Sequence, residues 1–315
     1  MDLASRPFLL ALALALAFLT RDAGATTILY SNDVLGEIEP CGCRVDPMGG
    51  VIRRAGLLKS LEGEKKGPFL QLDAGNFLFE SADFPESLVD SRKMQARALV
   101  KAHEKMGLDA TVPGDKDFAL GIAAYEELLG KSKIKVLAAN LLANGKPLFP
   151  GSAIFERKGE DGKIVRIGVI GLVGETIPYP APLTVEPRLP AFEKEKAALE
   201  GKVDLLVVIS HSGMEPDLEF AKKVKGVALI IGAHTQSFTQ DPVVENGVPI
   251  VQSSYRNQYI GVVPVETIAK PETYKLVGLD LSYEKKPDPA MKKIVTDLNK
   301  SLAAEKKKLL KQKNP

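Results

Sequence analysis

The stretch "VDLLVVISHSGMEPD", residues 203–217, runs from an unbroken apolar string into His211, which sits between two serines and is followed by a glycine. A continuous run of leucine, valine and isoleucine reads as a β-strand covered on both faces, not as an alternating, half-exposed one. The next segment, "EPDLEFAKKVKG" (215–226), reads as a helix closed by Gly226. Strand, polar turn, glycine and helix in succession form the edge at which open α/β sheets bind ligands.

The same grammar recurs outward in both directions. Apolar runs appear at "TTILYS" (26–31), "PFLQLD" (68–73), "DATVPG" (109–114), "KVLAANL" (135–141), "VRIGVIGL" (165–172), "GVALIIGA" (226–233) and "VPIVQSS" (248–254). Helical stretches lie between several of them, at 86–107 and 121–133 among others. This alternation predicts an α/β protein with a largely parallel sheet. The strand ends deliver Asn32 and Asp33, Asp73 and Asn76, Asp115 with Lys116 and Asp117, His211, and His234 with Gln236. One Asp or His at a strand end is usually a helix cap or a loop hydrogen bonder. Five such ends in a row ask for more. Histidines and carboxylates on separate loops at one edge are what a metal centre needs. His103, within "KAHEKMG", is read as an ordinary surface residue of a helix.

The chain has 315 residues, 45% hydrophobic and 26% charged, with a formal net charge of +2. That composition is globular, and the small net charge gives no reason to expect nucleic acid or an anionic membrane as partner. Residues 1–25 differ, with Arg6 ahead of "FLLALALALAFL" and "TRDAGA". They read as a secretory signal cleaved after Ala25; an uncleaved anchor is the alternative. The apolar core is too short to span a bilayer of about 30 Å, so no transmembrane span is expected in the mature form. The expected location is periplasmic or secreted. The expected organisation is a signal peptide (1–25), one domain (26–285) and a Lys-rich C-terminal helix (286–315), read as a solvated surface helix that frays at its end.

In their order, the motifs "ILYSNDVLGEIEP", "GGVIRRAGLL", "FLQLDAGNFL", "MGLDATVPGDKDFALG", "VLAANL", "IGVIGLVGE", "LLVVISHSGMEPD", "IIGAHTQ" and "VPIVQSSYRNQYIGVV" make the chain resemble the 5′-nucleotidase branch of the calcineurin-like metallophosphoesterases. The resemblance covers nearly all of residues 26–265. It implies a four-layer α/β/β/α sandwich with two metal ions at the strand ends. The carry-over is mixed. Asp33 is present, but Leu35 stands where the family has histidine; the metal-bridging aspartate falls on Asn76. In "GDKD" the metal-binding asparagine becomes Asp115 and the catalytic histidine becomes Lys116. His211 and His234 are retained, while Gln236 replaces the last histidine.

The first metal of the family would therefore rest on Asp33, Leu35, Asn76 and Gln236. Leucine cannot ligate, and an amide oxygen is a poor ligand for a divalent transition ion. The second would use Asn76, Asp115, His211 and His234, a set adequate for Zn²⁺, Mn²⁺ or Fe²⁺. One divalent ion is expected, with the second left open. The substrate expected is a small anion, such as a nucleotide, another phosphate ester or a sulfur species. Lys116 would hold one of its oxygens. It would shuttle protons less well than histidine, because lysine ordinarily stays protonated to about pH 10.

The only two cysteines, Cys41 and Cys43, lie eight and ten residues after Asp33. Three readings stand: soft metal ligands beside the weakened position, a strained and reactive Cys-Gly-Cys disulfide with a redox partner, or a loop staple. So short a ring removes little chain entropy, which makes the staple the weakest. The loop also resembles an exported subgroup of the family, in which some members carry selenocysteine. The same branch includes a hydrolase acting on a sulfur species. Two functions are implied: hydrolysis of phosphate esters at a reduced, mononuclear site, or thiol, redox or sulfur chemistry at Cys41 and Cys43 on an altered scaffold.

Overall fold

The computed structural model describes residues 26–40, 46–64, 66–159 and 162–313. Cys41, Cys43 and the stretch read as a signal peptide lie outside these residues. The first half of the chain supplies strands β1 (Thr27–Ser31), β2 (Phe69–Asp73), β3 (Leu108–Thr111) and β4 (Lys135–Val136), which pair in parallel. A small antiparallel sheet comes next, made of β5 (Leu141–Ala143), β6 (Lys146–Pro147) and, later in the chain, β9 (Leu183–Val185). The second large sheet uses β7 (Ser152–Lys158), β8 (Ile164–Val173), β10 (Leu205–His211), β11 (Leu229–Gly232), β12 (Val243–Glu245) and β13 (Val248–Val251), in the order β12-β13-β11-β10-β8-β7. Its inner four strands are parallel and its two edges antiparallel. Strands β14 (Tyr259–Pro264) and β15 (Lys275–Gly278) return to the first sheet and pair antiparallel beside β1.

Helices α1 (Val51–Gly63), α2 (Glu86–Met106) and α6 (Pro289–Lys313) cover the first sheet; α4 (Arg188–Leu199) and α5 (Met214–Ala221) cover the second, with α3 (Ile122–Leu129) after β3. The result is a four-layer α/β/β/α sandwich. The apolar run of β10 shows why both faces had to be apolar. Val207 and Ile209 enter the core shared with β1, β2 and β3, while Leu206 and Val208 pack against Phe192 of α4 and Phe220 of α5. Each such side chain contributes on the order of 1.5–3 kcal/mol of burial. On α6, Met291, Ile294, Val295 and Leu298 are buried, at a helical spacing that leaves the lysines outside.

Two expectations need correction, and one part of the fold is not anticipated by the sequence. His103 is completely buried on the inner face of α2. Its Nδ1 lies 3.1 Å from the Leu99 carbonyl, and its ring meets Phe77 edge-on at 4.8 Å. Burial, followed by the nearby Arg54 charge, holds it well below the ordinary histidine range. Ala96, Leu99, Val100 and His103 follow helical spacing, so the inward face is visible in the sequence. Helix α5 ends at Ala221, one turn before Gly226, which instead serves the turn into β11 with φ of 76°. Finally, the small three-stranded sheet and β7 carry no apolar run long enough to stand out.

Candidate metal centre

The five parallel strands that carry the polar residues, β1, β2, β3, β10 and β11, end at one edge, and their loops continue to pair beyond the strands. The amide of Asp33 donates to the Gly75 carbonyl, that of Leu35 to Asn76, and that of Gly36 to Phe77. To turn this tightly, Asp33, Leu35, Asn76, His234 and Gln236 all adopt positive φ, between 47° and 73°. Among the described residues they are half of the ten non-glycine residues in that region. Such conformations cost free energy and persist where surrounding contacts over-determine them. A leucine there is especially unusual. Two glycines permit the close approach: a Cβ on Gly114 would lie 2.2 Å from Asn76 Oδ1, and one on Gly75 would lie 2.8 Å from His211 Nδ1.

Asp115, His211 and His234 converge, with one ligand atom from each inside a 4.8 Å circle. His211 Nδ1 lies 2.8 Å from the Ala74 carbonyl, which can only accept, so Nδ1 carries the proton. In neutral His211 the lone pair on Nε2 then faces Asp115 Oδ1 at 3.3 Å. His234 Nδ1 lies 3.6 Å from the same oxygen and is buried with no hydrogen-bond partner. Asp115 Oδ1 thus faces two imidazole nitrogens, and either a proton on a ring or a cation between the three atoms can join them. Burial works against charge at Asp115, yet His211 and His234 outweigh it and hold the carboxyl well below the usual range. Burial likewise opposes the imidazolium of His211, but Asp115, and Asp33 behind it, raise its pKa. Two nitrogens and one carboxylate oxygen in this arrangement fit a divalent transition ion.

The neighbouring set is built the opposite way. Asp33 is completely buried, and both its oxygens are engaged. Oδ2 accepts from Asn32 Nδ2 at 2.9 Å and from the His234 amide at 3.0 Å; Oδ1 accepts from Asn76 Nδ2 at 3.2 Å. Asn76 Oδ1 accepts the Lys116 amide at 3.0 Å, which fixes the orientation of its side chain. Leu35 is buried beside it, and Gln236 and Lys116 are half-buried. The structure thus brings Asp115, His211 and His234 together, and turns Asp33 and Asn76 toward each other.

The fold is that of the calcineurin-like phosphoesterases. A 5′-nucleotidase precursor from Thermus thermophilus superposes with a TM-score of 0.73 at 24% identity, covering 89% of this chain and 59% of that one. The calcineurin-like phosphoesterase YfkN of Bacillus subtilis superposes with a TM-score of 0.70 at 17% identity, covering 88% of this chain and 97% of that one. In sequence the chain is similar to the 5′-nucleotidase of Mus musculus, 29% identical over 278 residues that cover 76% of this chain and 46% of the relative. It spans about half the length of the curated relatives it matches. No family model matches.

Within this phosphoesterase fold, further residues hold the ligand loops. Gln252 is buried behind the His234 loop; its Nε2 donates to the Ala233 carbonyl and its Oε1 accepts the Ser237 amide at 2.8 Å. Ser210, one residue before His211, donates to Asp217 Oδ1 at 2.6 Å, and Arg188 donates to the same oxygen at 3.0 Å. Burial raises Asp217 to about 7 despite Arg188. Gln252 follows its strand as His211 ends β10, so attention to strand ends would have found it. The segment leading to Cys41 is closed at its base by the Val51 amide on the Ile38 carbonyl, next to Leu35.

Proposed function

We propose that the chain is a metal-dependent hydrolase of phosphate esters of the nucleotide class, working with a single divalent ion on Asp115, His211 and His234. The observation that carries this reading is the convergence of His211 Nε2 and His234 Nδ1 on Asp115 Oδ1, beside a set, Asp33 and Asn76, whose acceptors already have donors. Sequence relatives named 5′-nucleotidases support the substrate class. A bound divalent ion would supply Lewis-acid stabilisation of charge developing on the phosphoryl group. The Ala74 carbonyl keeps the proton of His211 on Nδ1, so that Nε2 is free to ligate. Asp115 is held as the anion. Lys116, at the mouth, offers its ammonium to a phosphate oxygen. Leu35 keeps water from the neighbouring set. With one ion the symmetric clamp on attacking and leaving oxygens is absent, so turnover is expected to be slow. The apolar residues 8–19 support an exported enzyme; among the described residues no helix is long and apolar enough to cross a membrane.

The test is metal analysis of protein purified without chelator, together with nucleotide hydrolysis in added Mn²⁺ by the wild type and His211→Ala. About one ion per chain and hydrolysis lost in the variant are expected. A content near zero or near two, or equal rates in both proteins, would refute the reading. The thiol reading of Cys41 and Cys43 concerns residues outside the described ones. The self-paired atoms of Asp33 and Asn76 weigh against its metal-ligand form.

A further inference from the structure

Behind the metal centre, a chain of bonds runs from a surface loop to the ends of the two strands that carry the histidines. Glu175 follows Gly174 in the loop after β8, and the Gly174 amide donates to the His211 carbonyl at 2.9 Å. Both oxygens of Glu175 hold Arg188, at the start of α4: Oε1 accepts its amide and Oε2 its Nε, each at 2.9 Å. The rest of the Arg188 fork turns inward. Nη1 donates to Asp217 Oδ1 at 3.0 Å, and Nη2 to the Pro216 carbonyl at 3.0 Å. The guanidinium lies over the Phe220 ring, 5.3 Å from its centre, and Arg188 and Asp217 are both buried. Asp217 sits across the two strands. Its Oδ1 accepts from the Ser210 hydroxyl at 2.6 Å, one residue before His211. Its Oδ2 lies 2.7 Å from where a Cβ on Gly232 would stand, two residues before His234. Ser210 and Gly232 are themselves partners in the β10–β11 register, so one carboxylate bears on both histidine-bearing ends at the same level.

An ion pair that only fastened α4 to the loop would need nothing beyond Glu175. Burying a second carboxylate against the same guanidinium carries a desolvation penalty that exposed pairs avoid. Here that penalty falls directly behind two metal ligands, where outer partners orient the ligating groups. We propose that Arg188, acting through Asp217, is the positioning residue that sets the strand ends presenting His211 and His234. The inference rests on the single-ion reading and adds what holds its two imidazoles. Arginine suits the role because its planar fork reaches Glu175, Asp217 and Pro216 in fixed directions at once, which a lysine ammonium cannot do.

The experiment compares the wild type with Arg188→Ala, Ser210→Ala and Arg157→Ala. The last is the control: it breaks a partly buried pair with Asp109 and a bond to the Phe69 carbonyl, at the end of β2 away from the site. Equilibrium dialysis with Zn²⁺ gives metal affinity. NMR exchange of the imidazole Nδ1–H protons on chelated protein reports ring positioning without metal. His211 donates this proton to Ala74 and His103 donates its own to Leu99, so His103 registers general loosening. Arg188→Ala should weaken Zn²⁺ binding about ten- to a hundredfold and speed His211 exchange about tenfold relative to His103. Ser210→Ala, which carries the test if Arg188→Ala does not fold, should move both readouts the same way by less. Arg157→Ala should move neither. Unchanged Zn²⁺ affinity in the first two variants, or His211 exchange that merely follows His103, would overturn the proposal. If the wild type binds no Zn²⁺, the single-ion reading falls. Exchange then decides the positioning alone: selectively faster exchange at His211 supports it, and parallel changes at His211 and His103 refute it.

Discussion

Two clusters stand within one strand-end edge of this molecule, and they handle the same problem in opposite ways. At Asp33, every acceptor faces a donor: Asn32, Asn76 and the His234 amide. At Asp115, one carboxylate oxygen faces two imidazole nitrogens, neither of them a backbone or amide donor fixed in place. Both sets are polar and both sit beside positive-φ turns, so neither polarity nor strain tells them apart. The difference lies in the arithmetic of hydrogen bonding: a set satisfied by fixed amide donors has no use for a cation, while one whose only partners are imidazole nitrogens can take a cation in place of a proton. One amide at position 76, in place of a second carboxylate, is enough to make the Asp33 set self-satisfied.

The comparison breaks most visibly at His211. His211→Ala removes the nitrogen whose lone pair is aimed at Asp115, and metal affinity should fall about a hundredfold or more; equilibrium dialysis with Zn²⁺ or Mn²⁺ measures it. Retained affinity would mean that the acceptors do not form the ion site. Next comes Asn76→Asp, which places a carboxylate where a donor now meets Asp33. Without metal, two buried carboxylates at this spacing repel and lose a hydrogen bond, so the chelated variant should lose about 1–3 kcal/mol of stability in urea unfolding. Adding Leu35→His should move the metal content from about one toward two. An Asn76→Asp protein of unchanged stability would show that Asp33 is not satisfied by the amide.

Much of this is legible in the sequence. The sandwich can be read because doubly covered strands must be apolar on both faces, as β10 is, and because polar residues interrupt such runs only where the sheet ends. Asp115, His211 and His234 are legible for the same reason. The pairing of Asn76 with Asp33 is not: composition tells that an amide replaces a carboxylate, but its orientation depends on the Lys116 amide reaching Oδ1 from another loop. The charged neighbours of His103 suggest a surface position, although its spacing from Leu99 and Ala96 places it inside.

The comparison sharpens further in its pH dependence. Asp217, behind His211, is raised from the ordinary 3.8 to about 7, by burial first. The folded state keeps its proton across that interval while the unfolded chain releases it. This contribution to stability is therefore full at acid pH and is lost as pH rises through about 7. Asp115 works in the other direction, stabilising above the usual carboxylate range and failing as pH falls. Asp217→Asn should flatten the loss between about pH 4 and pH 7 by a few degrees in melting temperature, measured on chelated protein. Its unpartnered Oδ2 leaves the place for the amide nitrogen. An unchanged pH profile would show that Asp217 ionises freely in the fold.

The smallest effect expected is at Lys116, and it separates positioning from charge at the mouth of the centre. Its backbone amide holds Asn76, and that bond survives any change of side chain. Lys116→Ala therefore keeps metal content and stability while removing only the ammonium. A half-exposed charge is worth roughly 0.2–1 kcal/mol against a screened partner, so KM for AMP and for ribose 5-phosphate should rise together by a few-fold. Raising the ionic strength should shrink the gap between variant and wild type, because salt screens this charge and not the buried ligands. A Lys116→Ala protein that loses its metal would place the lysine in the support of Asn76 and Asp115, and would remove it from substrate binding.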